Sequence, residues 1–364
     1  MTLVIAGGGT GGHLYPGIAV AQELLRRMPD ARVSFVGTAR GLEARVIPKE
    51  GFELDLIRSA GIKGKSWTAR ARGAALVPVG FAEAWRVITR RRPDVVMGVG
   101  GFSSGPVVMA AALRRVPTLV LEQNAMPGLT NRLLAPSVRA AAVTYEQTLS
   151  FFGNRGFVSG NPVREAFFRT SNFEVRSSSD CRLLVLGGSQ GAHAINVAMT
   201  AAAPQLFQRQ PALSLVHQTG QRDLSTVRDA YAHAGIPARA EAFFDAMAQE
   251  MAGADLVISR AGATTLAELA AAGRPALLVP FPAATDDHQR RNAEVLVGAG
   301  AAAMIEEKHL SPDRLADTAA ELVGDRAQRD RMAKAMRTFA RPDAASRIVD
   351  RLIELAGRPH RRAA

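Results

Sequence analysis

Short, wholly apolar runs recur along the chain, separated by stretches of helical periodicity. In the first half they fall at residues 3–6, 33–36, 95–99, 118–121 and 141–144; in the second, at 183–186, 214–218, 256–259, 276–279 and 301–305. Runs that are apolar throughout, rather than alternating, suit parallel strands covered on both faces. Between them, residues 18–27, 82–90, 265–272 and 315–323 gather their apolar side chains on one helical face. This rhythm predicts an α/β fold of doubly wound, Rossmann-like sheets. A polar seam, Asn161-Pro162-Val163-Arg164 followed by Ser177-Ser178-Ser179-Asp180, predicts two domains over 1–163 and 164–340.

Glycine-rich turns follow several of these runs. Gly7-Gly8-Gly9-Thr10-Gly11-Gly12-His13 follows the first, and Gly187-Gly188-Ser189-Gln190-Gly191-Ala192 follows residues 183–186, 180 positions later. A third, Gly98-Val99-Gly100-Gly101-Phe102-Ser103-Ser104-Gly105-Pro106, follows Val95-Val96-Met97. A strand, a turn without side chains and then a helix aims backbone N–H groups at phosphate. The set predicts a pyrophosphate acceptor in the first half, on Gly9, Gly100, Gly101, Ser103 and Ser104, and a nucleotide donor in the second. Tight strand–helix packing is the alternative use of such turns. Gly7, Gly9 and Gly12 also satisfy G-x-G-x-x-G, but the strand at 33–36 ends in Gly37-Thr38-Ala39. The carboxylate that holds a dinucleotide's ribose is missing there, which counts against a nicotinamide-dependent oxidoreductase.

Composition narrows the setting. With 364 residues, 47% hydrophobic and 21% charged, the chain is expected to be globular with two cores of ordinary size. No apolar run approaches the ~18–20 residues of a membrane span. Strand-like sequence begins at Thr2 with no basic leader before it, so no secretory signal is expected. Cys181, the single cysteine, excludes an internal disulfide framework and predicts a reducing, cytoplasmic setting. The net charge of +12 asks for an anionic partner: a lipid surface or a phosphate-rich substrate. At 5% aromatics, and without an RNA-binding signature or zinc-ligand spacing, nucleic acid is not expected.

Candidate chemistry clusters at predicted strand ends. His13 falls near a helix start, where an imidazole stays neutral as a general base requires; filling a wall of the fold is its other reading. Glu122-Gln123-Asn124 ends the run at 118–121, where open α/β sheets put ligands, and its amides suit sugar hydroxyls or an acetamido group. In Ser259-Arg260-Ala261-Gly262-Ala263-Thr264-Thr265-Leu266-Ala267-Glu268, backbone amides and Thr264 suit a phosphate and Glu268 a ribose diol. Thr265 and Glu268 also have capping-box spacing. Asp286-Asp287-His288 lacks ligand spacing on one helix face, and no D-x-D triplet occurs, so neither a metal nor any other cofactor is expected.

Taken in order, these strings resemble the MurG family, bacterial transferases of peptidoglycan synthesis. The resemblance rests on Gly8-Gly9-Thr10-Gly11-Gly12-His13, Gly100-Gly101-Phe102-Ser103-Ser104-Gly105-Pro106, Glu122-Gln123-Asn124 and Asn161-Pro162-Val163-Arg164. It continues through Gly187-Gly188-Ser189-Gln190-Gly191-Ala192, Ser259-Arg260-Ala261-Gly262-Ala263, Gln289 and Asn292-Ala293. It implies a GT-B fold, two Rossmann-like domains facing across a deep cleft, with a C-terminal helix at 344–356 returning to the first. It also implies an inverting transfer of N-acetylglucosamine from UDP-N-acetylglucosamine to the C4 hydroxyl of undecaprenyl-diphosphate-linked muramyl-pentapeptide, serving cell-wall growth, cell shape and division. Carried over by position, Arg164 and Ser189 contact the donor diphosphate, and Thr10, Gly11 and Gly12 line the donor site. Phe243 lies over the uracil edge, Ala263, Thr264 and Thr265 border the nucleotide, Glu268 holds the ribose, and Asn124 and Gln289 hold the sugar. His13 is the first candidate for the base and Glu122 the second. Two departures stand out: His288 replaces a glutamine frequent in the family, and Thr265 stands where a bulkier residue can occur. A related transferase with another lipid acceptor, such as diacylglycerol, is the nearest alternative.

An acceptor held in a bilayer requires a membrane-facing surface. Residues 62–92 fit it: Leu76, Val77, Val79, Phe81 and Trp85 are ringed by Lys63, Lys65, Arg70, Arg72, Arg86, Arg90, Arg91 and Arg92. An apolar patch with a basic rim suits an anionic lipid surface, here the cytoplasmic face of the inner membrane, with the chain bound peripherally. An ordinary amphipathic helix with a solvated face is the alternative. The basic tail at 357–364 is expected to be frayed and solvated.

Overall fold

The structure, a computed structural model, describes residues 1–9, 11–39, 41–59, 67–169, 181–187 and 192–357, with backbone alone along 67–77 and at 285. Its chain forms two compact units: Met1–Val163 together with the segment from Arg341 on, and Arg164–Ala340.

The first unit holds seven strands, β1 (Thr2–Gly7), β2 (Arg32–Gly37), β3 (Glu53–Leu56), β4 (Val95–Gly100), β5 (Thr118–Glu122), β6 (Ala140–Val143) and β7 (Gly156–Val158). They pair in the order β3-β2-β1-β4-β5-β6-β7, every pair parallel. Alternate residues of the inner strands feed two separate cores. Leu3, Ile5, Met97, Val99, Leu119 and Leu121 face one side, while Val4, Ala6, Val96 and Val120 face the other. Both faces are apolar because both are covered by helices. Helix Gly11–Arg27 and the C-terminal helix Ala344–Gly357 share the first side, through Leu14, Ile18 and Leu24 on one and Ile348, Val349, Leu352 and Leu355 on the other. Arg27 pairs with Asp350 at 2.6 Å along the same seam. Helices Trp67–Arg91 and Ser104–Leu113 cover the second side.

The second unit holds β8 (Arg182–Leu186), β9 (Ser214–Gln218), β10 (Ala238–Glu241), β11 (Leu256–Ser259), β12 (Ala276–Leu278) and β13 (Ala302–Met304). Their order is β10-β9-β8-β11-β12-β13, again parallel throughout. Leu183, Val185, Leu256 and Ile258 pack beneath Ile195, Met199 and Leu206 of helix His193–Arg209 and Leu315 and Ala319 of helix Pro312–Gly324. Cys181, beside β8, is partly buried, and burial pushes its thiol up to about 11, the condition of an inert thiol.

Each sheet has one point where the strand order reverses, between β1 and β4 in the first unit and between β8 and β11 in the second. Open α/β sheets hold ligands just beyond the carboxyl ends of the strands at that point. The glycine-bearing turns singled out in the sequence after β1, β4 and β11 fall there, as does Gly187, which follows β8. The strands the apolar runs did not reveal are β3, β7 and β10, and all three are sheet edges. An edge strand has one partner and a wetter face, so Glu53-Leu54-Asp55-Leu56 and Ala238-Arg239-Ala240-Glu241 carry charge where inner strands carry Val and Leu.

Candidate active site

In the first unit, β1 ends in extended-to-left-handed glycines and gives way to helix Gly11–Arg27, whose third residue is His13. The imidazole lies against Gly100, which has φ +94°: a Cβ there would stand 2.8 Å from His13 Cδ2 and 3.1 Å from Nε2. A side chain at residue 100 would therefore displace the ring. Gly101, at φ +81°, is packed as tightly on the backbone of Gly8, so the turns after β1 and β4 touch through main chain alone.

The acceptor-side serines are placed differently from expectation. Ser103 and Ser104 are 1% and 0% exposed, and Ser104 Oγ has no hydrogen-bond partner. The adjoining helix draws both beneath the turn, leaving Gly101 and the exposed Phe102 as its outward part. Direct contact between these hydroxyls and a diphosphate is thus corrected to a buried, structural placement. Gly9 also differs: its amide already donates to Glu43 Oε2 at 2.8 Å.

Glu122 ends β5 and is buried, with both oxygens occupied. Oε1 accepts from the Asn124 backbone and side chain at 3.0 and 3.1 Å, and Oε2 accepts from the Gly128 amide at 3.0 Å and Asn131 Nδ2 at 2.9 Å. Burial raises its pKa, and these four donors oppose the rise. A carboxylate so engaged orients Asn124 and the following turn; it offers no lone pair pointing at a substrate hydroxyl. That geometry speaks against Glu122 as the base and makes it the support for Asn124.

In the second unit, Ser189 and the rest of the turn at 188–191 lie outside the described residues, as does Thr10 in the first. The helix that follows, His193–Arg209, is anchored by a polar chain the sequence did not disclose. Tyr231 donates to His217 Nδ1 at 2.7 Å, and His217 Nε2 donates to Asn196 Oδ1 at 3.0 Å. Asn196 Nδ2 in turn donates to Asp223 at 2.8 Å, and His193 Nδ1 lies 3.0 Å from the same carboxylate. Burial drives the His217 pKa down to about 3, so this ring is neutral.

The turn after β11 leads into helix Ala263–Ala272, with Gly262 extended at the N-cap and Gly273 left-handed at the C-cap. Thr265 is therefore inside the helix, and its spacing to Glu268 does not make a capping box. Glu268 lies farther along this helix, its side chain 15% exposed, with Arg164 Nη2 3.8 Å from Oε1. Burial raises its pKa to about 7 despite the guanidinium. Ala263, Thr264 and Thr265 are half-buried on the first turn. Arg260 holds the neighbouring strand ends: it donates to the Val279 and Pro280 carbonyls at 3.1 and 3.3 Å, pairs with Glu307 and lies over Phe281. Gln289 accepts from the Phe281 amide at 3.0 Å, and the buried Asn292 reaches the Ala261 carbonyl. Phe243, 54% exposed, follows β10 at the same carboxyl edge. Asp287 pairs with Arg290. Among the described residues no three His, Cys, Asp or Glu side chains group to hold a metal ion.

On helix Trp67–Arg91, Arg72 and Leu76 belong to the stretch described by backbone alone, and Lys63 and Lys65 lie outside the described residues. Trp85 is exposed, its ring tilted by 44° against that of Phe81 with centroids 6.0 Å apart and covered on one side by Arg114, with Arg86 exposed and Val79 half-buried nearby. Arg90 and Arg91 do not belong to a free basic rim: both pair with Asp55, and Arg91 also with Glu53. Among the described residues no helix is long and apolar enough to cross a membrane.

Two family models cover most of the chain: the glycosyltransferase family 28 N-terminal domain over residues 3–143 and its C-terminal domain over 182–348. A relative from Anaeromyxobacter sp. is 46% identical over 359 residues, 98% of this chain and 94% of its own length. One from Pelobacter propionicus is 46% identical over 97% of this chain and 99% of its own length. Both are named UDP-N-acetylglucosamine--N-acetylmuramyl-(pentapeptide) pyrophosphoryl-undecaprenol N-acetylglucosamine transferase. Among solved structures, that of Acinetobacter baumannii MurG superimposes with a TM-score of 0.79 at 30% identity, over 97% of this chain and 99% of the other. With two parallel-sheet α/β units of the GT-B class and full-length relatives of this kind, the chain belongs to the MurG family of glycosyltransferase family 28.

Proposed function

We propose that this chain transfers N-acetylglucosamine from UDP-N-acetylglucosamine to the C4 hydroxyl of the lipid-linked muramyl-pentapeptide, making the disaccharide lipid of peptidoglycan synthesis. The observation that carries the donor assignment is the Arg164–Glu268 pair at the β11 edge of the second unit. A carboxylate suits a ribose diol, and a guanidinium next to it suits the diphosphate of the same nucleotide. Phe243 supplies an exposed ring for the uracil, Thr264 and Thr265 border the nucleotide, and Gln289 and Asn124 are assigned to the sugar.

The reaction is an inverting displacement. The C4 oxygen forms its bond to the anomeric carbon as the bond to UDP breaks; the hydroxyl proton passes to a base, and UDP leaves with the bonding pair. His13 is the base in this reading: it lies at a switch-point helix start and its ring is wedged against Gly100. Arg164 and the helix that follows the turn at 187–191 stabilise the departing diphosphate. The backbone of the turns after β1 and β4, out to the exposed Gly9 and Phe102, faces the acceptor diphosphate. Phe81, Trp85 and Arg86 form the surface that meets anionic lipid at the cytoplasmic face of the membrane.

An acceptor comparison tests this. Purified chain, UDP-N-acetylglucosamine and either the muramyl-pentapeptide lipid or diacylglycerol should give a glycosylated product with the first acceptor alone. Transfer to diacylglycerol instead would assign the chain to a different lipid acceptor.

A further inference from the structure

Glu43 is an acidic side chain with 1% exposure, without the solvent contact a surface helix would give it. It opens the helix Glu43–Lys49 yet points back beneath the ends of β1 and β2. Its Oε2 accepts the Gly9 amide at 2.8 Å, and its Oε1 accepts the Thr38 amide at 2.9 Å and Thr38 Oγ1 at 3.0 Å. Gly8, Gly37 and Gly41 all surround this carboxylate so closely that a Cβ on any of them would collide with it. A concavity of backbone N–H groups is the form in which proteins bind anions. Here the protein's own carboxylate fills it.

The consequence passes along main chain. Glu43 fixes Gly9; Gly8 next to it bears on Gly101; Gly100 beside that seats His13, on the helix that Gly9 leads into. We propose that Glu43 is a positioning residue for the acceptor side of the transfer, holding the turns after β1 and β4 and the His13 ring in one arrangement. This rests on the reading that His13 and those turns serve the acceptor. Charge-assisted hydrogen bonds to a buried carboxylate are the strong class, and removing such a partner leaves its donors unsatisfied.

The test compares Glu43→Gln, Thr38→Val and Thr38→Ser with the unaltered chain. In Glu43→Gln a carboxamide NH2 must face either Gly9 or Thr38, a donor against a donor. Expected are a kcat/KM for the lipid acceptor lowered at least about tenfold, and a KM for UDP-N-acetylglucosamine unchanged within about twofold, because the groups proposed to hold the nucleotide most firmly, Arg164, Glu268 and Phe243, are all in the second unit. Amide hydrogen exchange should quicken over residues 5–12. Thr38→Val should move acceptor kinetics in the same direction, Thr38→Ser should recover most of the loss, and Glu43→Gln with Thr38→Val should be no worse than Glu43→Gln. If Glu43→Gln does not fold, Thr38→Val against Thr38→Ser carries the comparison. A folded variant with unaltered acceptor kinetics, or one whose donor KM rises as much as its acceptor KM, overturns the proposal. Failure of the unaltered chain to glycosylate the lipid would instead overturn the reading beneath it.

Discussion

Arg164 holds its guanidinium 3.8 Å from the Glu268 carboxylate, close enough to favour the ion yet not close enough to cancel the cost of burying it. The result is a glutamate with a pKa of about 7 in place of its ordinary 4.5. Between those values the folded chain holds a proton that the unfolded chain has released, so stability falls as pH rises through the interval.

Donor binding should show the opposite trend. The ionised carboxylate is the better acceptor for ribose hydroxyls, so affinity for UDP-N-acetylglucosamine, whose diphosphate diester does not titrate here, should tighten from pH 6 to pH 8 by up to about tenfold. Glu268→Gln should bind more weakly and without that pH dependence. Titration calorimetry across the range is the check.

His13 and Glu122 should separate by what their loss damages. His13→Ala should leave the thermal midpoint near that of the unaltered chain and lower kcat by about 10²–10⁴-fold, the usual worth of a general base. Glu122→Ala orphans the donors on Asn124, Gly128 and Asn131 and should cost about 2–4 kcal/mol of stability. Thermal unfolding and steady-state kinetics on both variants read this directly.

Membrane contact should depend on the exposed ring of Trp85. Co-sedimentation with vesicles containing phosphatidylglycerol should weaken by about tenfold in Trp85→Ala and further in Trp85→Ala with Arg86→Glu. Added salt should weaken binding of the unaltered chain, since the cationic part is screened. Arg90→Gln should matter little for binding, because Arg90 is already paired with Asp55.

The buried His217 gives the second unit an acid-sensitive element. Its folded pKa of about 3 lies below its ordinary 6.5, so the unfolded chain binds the extra proton between those values. Stability of that unit should be steady above pH 6.5 and fall as pH drops towards 3. Chemical denaturation followed at several pH values should show this, and His217→Gln should flatten it.

The parts of this molecule that could be read from residue order are those with local causes. Inner strands were visible because burial on both faces makes them apolar throughout, and the four glycine turns because a strand, glycine and helix must follow one another directly. The edge strands β3 and β10 carry charge and were invisible to the same criterion. Glu43 could not be found because its partners on Gly9 lie 34 residues away and nothing in Leu42-Glu43-Ala44 marks it as buried. Ser103 and Ser104 looked like ligands because hydroxyls after a glycine turn commonly are; only the packing of their helix shows them turned inward. Arg90 and Arg91 likewise looked like free charge until β3 supplied their carboxylates.

The most direct measurement is the structure of the product. Purified chain is incubated with UDP-N-acetylglucosamine and the lipid-linked muramyl-pentapeptide, and the disaccharide is characterised by mass spectrometry and by NMR of the new glycosidic bond. The expected result is one N-acetylglucosamine added per acceptor, joined in the β configuration to the muramyl C4 oxygen, with one UDP released. Absence of transfer by folded chain, or an α-linked or differently placed sugar, would contradict it.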